Sequence, residues 1–193
     1  MIEVYFDGAC EPVNPGGVAT YGFVIYRDGA KLHEGCGVVG CGALGDDVSN
    51  NVAEYTALIK ALEWLLDNGF AGEDVVVKGD SQLAIRQVNG YYSVRAPRII
   101  PLYRRVMALK SRFRNIRFTW VPREMNAEAD DLSKKAYVDF CRRNRDLILS
   151  HYSRYLATEK QLRYIRFLGG KPREFMSRRE ASKAIDRLLR SRG

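Results

Sequence analysis

Four carboxylates stand at positions where chemistry is a credible use for them. Asp7 closes the alternating run Glu3-Val-Tyr-Phe, and Asp80 closes the apolar run Val75-Val76-Val77. Glu54 falls one turn into a helical pattern that starts at Asn51, and Asp130 falls in the first turn of another that starts at Ala127. Each has an ordinary use on its own: Asp7 as a turn-former before Gly8, Asp80 as the N-cap of the next helix, Glu54 and Asp130 as acids at the positive end of a helix dipole. Jointly, two acids at the ends of neighbouring strands and two in first helical turns can converge on one rim. Carboxylates gathered in this way repel one another and raise each other's pKa unless cations neutralise them. Magnesium suits such a set, because it takes oxygen ligands and keeps waters alongside substrate phosphate oxygens. Two such ions about 3.5–4 Å apart can activate a water and stabilise the leaving oxygen of a phosphodiester displacement. The competing signatures GxSxG, HExxH and GxxxxGK[ST] do not occur in the sequence.

The elements that must position these acids follow from hydrophobic period. Glu3 to Asp7 and Val18 to Tyr26 read as strands on either side of a Pro/Gly cluster, and Arg27-Asp28-Gly29 is a hairpin signal that returns Lys31 to Gly40 as a third strand. From Asn51 the apolar residues Val52, Tyr55, Leu58, Ile59, Leu62, Leu65 and Leu66 fall on one helical stripe, with Ser49 or Asn50 as cap and Asn68-Gly69 as stop. Asp74 to Asp80 is a short strand whose crossover implies parallel pairing. Helical patterns follow from Ser81 to about Asn89, from Ile99 to Phe113 and from Ala127 to about Arg143, with a fifth strand over Ile116 to Val121. An α/β domain with five strands is expected.

After about residue 150 come two short amphipathic helices, each opened by a capping-box pattern, Thr158-Glu-Lys-Gln161 and Ser177-Arg-Arg-Glu180. So short a module has a thin core, and it is expected to be marginal alone or docked on the main domain.

Charge is placed very unevenly. Residues 1–80 carry 4 basic and 13 acidic side chains, 81–123 carry 10 and none, and 151–193 carry 12 and 4, within a net charge of +8 over 193 residues. Cations without local acids either neutralise the acidic first segment or track phosphates beside an acidic centre. Residues 151–193 are expected to raise affinity for nucleic acid without carrying chemistry. Four cysteines (Cys10, Cys36, Cys41, Cys141) without a CxxC pair and only two histidines argue against a structural zinc site. Reduced thiols are expected, a Cys36–Cys41 disulfide being the alternative. The opening MIEVYFDGAC has no basic n-region, and no apolar run reaches the ~18–20 residues of a span. Neither export nor membrane insertion is therefore expected, and the location expected is cytoplasmic.

The motifs Tyr5-Phe-Asp7-Gly8, Asn14-Pro-Gly-Gly17, Ser49-Asn-Asn-Val-Ala-Glu54, Gly79-Asp80-Ser81-Gln82 and Val121-Pro-Arg-Glu-Met-Asn126-Ala-Glu-Ala-Asp130-Asp-Leu-Ser, in this order, resemble type 1 ribonuclease H over about residues 1–143. The resemblance implies a ribonuclease H-like five-stranded mixed sheet flanked by helices, with the C-terminal two-helix module appended. It divides the chain into a catalytic domain over 1–145, a linker over 146–157 and a basic accessory module over 158–193. It makes Asp7, Glu54, Asp80 and Asp130 the ligands of two Mg²⁺ ions, with Mn²⁺ a possible substitute. The RNA strand of an RNA/DNA hybrid is then the substrate, cut to 5′-phosphate and 3′-hydroxyl ends.

Asn14, Asn50 and Asn51 match positions that meet sugars and bases in the hybrid's minor groove, where 2′-hydroxyls are displayed. Ser49 is a candidate phosphate contact, and Ser81, Arg123 and Asn126 belong to the same substrate-side set. Two features depart from the family. The loop Pro122 to Asn126 lacks the histidine that many relatives carry, leaving Arg123 or Glu124 to substitute. A lysine-rich, tryptophan-bearing insertion after Gly90 is also missing, and Tyr91 and Tyr92 with Arg95 and Arg98 could grip the DNA strand instead. Two other readings compete: a catalytically silent hybrid- or RNA-binding module, and a DNA-cutting resolvase- or transposase-like nuclease. The four acids count against the first, and the Asn50-Asn51 pair against the second. A monomer is expected.

Overall fold

The computed structural model describes residues 1–191. The alternating N-terminal segments form β1 (Ile2–Glu11), β2 (Val18–Arg27) and β3 (Ala30–Cys41), an antiparallel meander. Its hairpin turns at Asp28 and Gly29, whose φ angles of 51° and 81° are both positive, the conformation that a two-residue hairpin requires. The chain continues through α1 (Asn50–Asp67), β4 (Asp74–Gly79), α2 (Gln82–Val88), α3 (Ile100–Lys110), β5 (Asn115–Trp120) and α4 (Ala127–Arg143). β4 lies parallel to β1 and β5 parallel to β4, giving the order β3-β2-β1-β4-β5. This is the five-stranded mixed sheet the sequence implies.

One sheet face carries Ile2, Val4, Phe6, Val75 and Val77 into the main core, where Tyr55, Leu58, Leu62 and Leu65 of α1 and Val106 and Leu109 of α3 cover them. The other face receives α4, laid across β1, β2 and β3. β1 differs from expectation in length. It runs four residues past Asp7, all paired with β2, so Asp7 is a mid-strand residue and Gly8 is not a turn glycine.

Gly8 has another use. A β-carbon on it would lie 2.2 Å from the Glu54 backbone nitrogen, so its absence lets the first turn of α1 touch the strand. Gly22, the cross-strand partner of Asp7, does the same on the opposite face. A β-carbon there would sit 2.4 Å from the Ala129 carbonyl oxygen and 2.6 Å from the Ser133 nitrogen of α4.

Residues 146–157, expected as a linker, hold a helix instead: α5 (Arg145–Tyr152). Its Ile148 and Tyr152 are buried against Val18, Cys41, Tyr137 and Cys141. The Tyr152 hydroxyl accepts from Ala43 N at 2.8 Å and donates to Gly16 O at 2.9 Å, fastening the helix to loops flanking β2 and β3. α6 (Glu159–Phe167) and α7 (Arg178–Arg190) then pair around Ile165, Met176 and Ala181.

Thr158 and Gln161 form the full capping box. Ser177 caps α7, but Glu180 does not reach back to it, because Glu180 pairs with Arg173 at 2.6 Å. Arg173 also binds Glu11 and lies over the Tyr137 ring, so the module is docked on β1 and α4. The four cysteines are free. Among the described residues, no helix is long and apolar enough to cross a membrane.

Two substitutions test this packing. Gly22→Ala forces backbone against backbone, so α4 must lift; overpacking of this kind costs about 1–3 kcal/mol, and calorimetry should record a Tm lower by roughly 3–10 °C. Tyr152→Phe leaves the Ala43 amide and Gly16 carbonyl unpartnered and should cost about 1–2 kcal/mol. An unchanged Tm in the latter would mean that α5 is not fastened through this hydroxyl.

Candidate active site

Parallel register brings the first two acids together. Phe6 of β1 pairs with Gly79 of β4, so Asp7 and Asp80, the next residues, emerge side by side. Ser81, not Asp80, caps α2 by accepting from Ala84 N, which leaves the Asp80 carboxylate free of capping duty. Asn126 holds it. The buried Asn126 amide donates to Asp80 Oδ1 at 2.8 Å and to Phe6 O at 2.9 Å. Trp120 Nε1 donates to Asp80 O at 3.1 Å.

Asp7 is itself buried and accepts a 2.5 Å hydrogen bond from Ser133 Oγ of α4. Burial pushes its pKa up to about 6; the Ser133 bond counteracts this, and repulsion from Asp130 and Asp80 reinforces it. Glu54 is displaced further. Burial raises it to about 8, with a bond from Ser81 opposing and the charges of Asp7 and Asp80 adding to the rise. Its Oε2 is shut off from solvent with no hydrogen-bond partner. Asp130 is engaged by Arg123 at 2.7 Å and by Lys134 at 2.5 Å. The other three acids thus sit within electrostatic reach of Asp7, beside the middle of β1 and the C-terminal end of β4, where α1 and α4 begin.

This donor set is all oxygen. A buried, unpartnered Glu54 oxygen and two carboxyls that resist ionisation are what a hard divalent cation would relieve. Among the described residues no three His, Cys, Asp or Glu side chains already stand as a metal cage, and Asp130 in particular is occupied by two cations. The residues present fit a metal ion as a set to be drawn together by it.

Comparison with known proteins sets this geometry in context. A family model described as reverse transcriptase-like matches residues 6–136. A ribonuclease HI from Halobacterium salinarum is 36% identical over 138 residues, 72% of this chain and 65% of its own length. A crystal structure of RNase H1 from that archaeon superposes with a TM-score of 0.63 at 35% identity, covering 72% of this chain and 98% of that one. The chain belongs to the type 1 ribonuclease H family. A second RNase H1, recovered from compost and crystallised with an RNA/DNA hybrid, is 38% identical with a TM-score of 0.63, over 70% of this chain and 96% of its own. The N-terminal RNase H domain of a Mycobacterium tuberculosis protein gives 0.65 at 32% identity, over 74% and 97%. The chain spans about two thirds of the halobacterial relative's length and about a third of the full mycobacterial protein.

As a ribonuclease H chain it places most of the remaining expected residues in two groups. Asn14, Asn50 and Ser49 form a network at the start of α1: Asn14 Oδ1 accepts from Asn50 N at 2.9 Å, Asn50 Oδ1 from Cys10 N at 2.6 Å, and Ser49 Oγ from Val52 N at 3.3 Å. Asn51 follows in the first turn, half-buried. Tyr91, Tyr92, Arg95 and Arg98 form a separate exposed group between α2 and α3. Arg98 pairs with Asp47 at 2.7 Å and Arg86 with the Tyr92 hydroxyl. Asn126 is the correction. Only 1% exposed, it cannot meet substrate and acts by orienting Asp80. Ser81 likewise turns to the site, toward Glu54. Ser133 and Lys134 were missed as contributors; their spacing of three and four from Asp130 on α4, which puts them on its face, was the available signal.

The raised carboxyls predict an inverted pH dependence for metal-free protein. Glu54 keeps its proton to about pH 8 when folded but loses it near 4.5 when unfolded. Its cost to stability is therefore absent below about pH 4.5, grows as pH rises, and is complete above 8. In chelator, Glu54→Gln should flatten this decline and stabilise the protein at pH 8 by on the order of 2 kcal/mol. An unaltered slope in denaturant titrations across pH 5–8 would place the carboxylate in water.

Proposed function

We propose that the chain is an endonuclease that hydrolyses the RNA strand of RNA/DNA hybrids, using two divalent metal ions held by Asp7, Glu54, Asp80 and Asp130. The observation that carries the reading is the convergence of these four acids where the end of β4 meets the middle of β1. The hybrid-bound relative supports the substrate. Magnesium, with manganese as substitute, supplies water activation and charge relief at the leaving oxygen when bound.

The chain's own residues do the rest. Ser133 and Asn126 hold Asp7 and Asp80 in place before substrate arrives, so little ordering is left for the reaction itself. Arg123, 67% exposed by side chain and paired with Asp130, occupies the loop in which many members of the family carry a histidine. Asn14, Asn50 and Asn51 lie at the start of α1, suited to the 2′-hydroxyl-bearing minor groove. Tyr91, Tyr92, Arg95 and Arg98 supply an exposed aromatic and cationic patch for the other strand, and Ser49 a hydroxyl for phosphate. Products with 5′-phosphate and 3′-hydroxyl ends follow from this reading.

The test is a panel of labelled RNA/DNA hybrid, duplex DNA and duplex RNA, each with magnesium, manganese or chelator. Cleavage of hybrid alone, abolished by chelator, is expected. Asp7→Asn and Asp80→Asn keep the shape and lose the charge, so each should remove at least about a hundredfold in rate, several kcal/mol of charge stabilisation, while the fold persists. Near-normal hydrolysis by either variant removes that residue from the metal site, and comparable cutting of duplex DNA replaces the substrate assignment.

A further inference from the structure

The C-terminal helices present a face to which the proposed cleavage assigns no part. On α6, Lys160, Arg163, Tyr164 and Phe167 recur at helical spacing on one stripe, and all four are exposed. The opposite side of the helix puts Leu162 and Ile165 into the small core beside Met176 and Ala181. Tyr164 and Phe167 are stacked, with ring centroids 6.2 Å apart and planes 12° from parallel. Phe167 is 75% exposed. An aromatic ring so far in water contributes little to packing, and here two stand together, oriented alike.

The cations beside them are uncommitted. Among the described residues, the ion pairs of this module are Arg142–Glu174, Arg173–Glu11 and Arg173–Glu180, and neither Lys160 nor Arg163 takes part in one. Residues 151–191 hold eleven cations against four acids, so the surroundings favour an anion. Near-parallel exposed rings flanked by free cations match unpaired nucleic acid: bases stack on the rings while backbone phosphates meet the ammonium and guanidinium groups. A duplex hides its base faces in its own stack and would use only the cations. The family match ends at residue 136, before this stripe begins.

We propose that the α6 stripe binds single-stranded nucleic acid, with bases against Tyr164 and Phe167 and phosphates against Lys160 and Arg163. This surface operates without cleavage, and so stands or falls independently of the hydrolytic function.

The test uses the full chain in chelator, with anisotropy of labelled oligo(dT) and oligo(rU) of about twenty nucleotides, enough to span the site. Tyr164→Ala/Phe167→Ala should weaken single-strand binding by about tenfold or more and leave its salt dependence unchanged. Lys160→Gln/Arg163→Gln should instead lower the log–log salt slope by about 0.7 per cation. Both pairs are at the surface, so Tm and cleavage of a blunt, fully paired hybrid should match the parent. Parent-like single-strand affinity in the aromatic variant overturns the proposal, as does a parent that binds duplex as tightly as single strands. A concentration-dependent increase in mass that the aromatic variant abolishes also overturns it, assigning the face to self-association.

Discussion

Two missing β-carbons decide where the chemistry can be. Asp7 and Gly8 are consecutive strand residues and so point to opposite faces of the sheet. On Gly8's face α1 comes in at its first turn, where any larger side chain would strike the Glu54 backbone. On Asp7's face α4 comes in at its first turns, and the room is made by Gly22 across the strand pair. Each helix therefore arrives beside the same strand position from a different side, carrying an acid. Parallel pairing of β1 with β4 adds Asp80. The convergence is a product of backbone proximity, and it holds four carboxylates in a place where their own electrostatics would separate them.

That electrostatic cost is visible in how each acid is restrained. Asp7 has the Ser133 hydroxyl, Asp80 the Asn126 amide, and Asp130 two cations. Glu54 has the least support, one contact to Ser81 and one orphaned oxygen, and it shows the larger pKa rise. A buried polar atom without a partner is expensive, and native structures tolerate it mainly where something else is to bind. The core formed by α1, α3 and the sheet supplies the stability against which this local penalty is set.

Most strands and helices were legible because each has a local signature: alternation in β1, a clean stripe from Val52 to Leu65, a hydroxyl cap at Ser49; the cap of α2 was expected at Asp80 and is Ser81, and the four acids could be singled out only jointly. What could not be read is long-range. Nothing in Gly8-Ala-Cys-Glu11 says that the strand continues, since the pairing that extends it comes from Val18 to Tyr21. α5 was missed because Arg145 to Tyr152 has no side-chain cap and shows only two buried residues, Ile148 and Tyr152, which become core through contacts with Val18 and Cys41. Asn126 looked like a residue facing substrate because it lies in the loop before Asp130. Its burial depends on Phe6, 120 positions away in the chain.

The C-terminal charge, a single sum in the sequence, is divided by the fold into two uses. Arg173 faces inward: it joins Glu11 at the far end of the strand that carries Asp7 to Glu180 of α7, and it covers the Tyr137 ring of α4. Removing one member of such a half-buried set leaves a charge without its partner, a loss below the roughly 3–5 kcal/mol of a fully buried pair because water screens part of it. Arg178, though exposed, is also engaged within the module, donating to Leu156 O at 3.1 Å. Lys160 and Arg163 face water on α6. Deleting the whole module would therefore strip the brace along with any binding surface, leaving Glu11 without Arg173 and uncovering the Tyr137 ring. Changes in affinity or in turnover after such a deletion would mix two causes. Only substitutions confined to the outer stripe of α6 separate them, because there the side chains that meet solvent are not the ones that hold the module to β1 and α4.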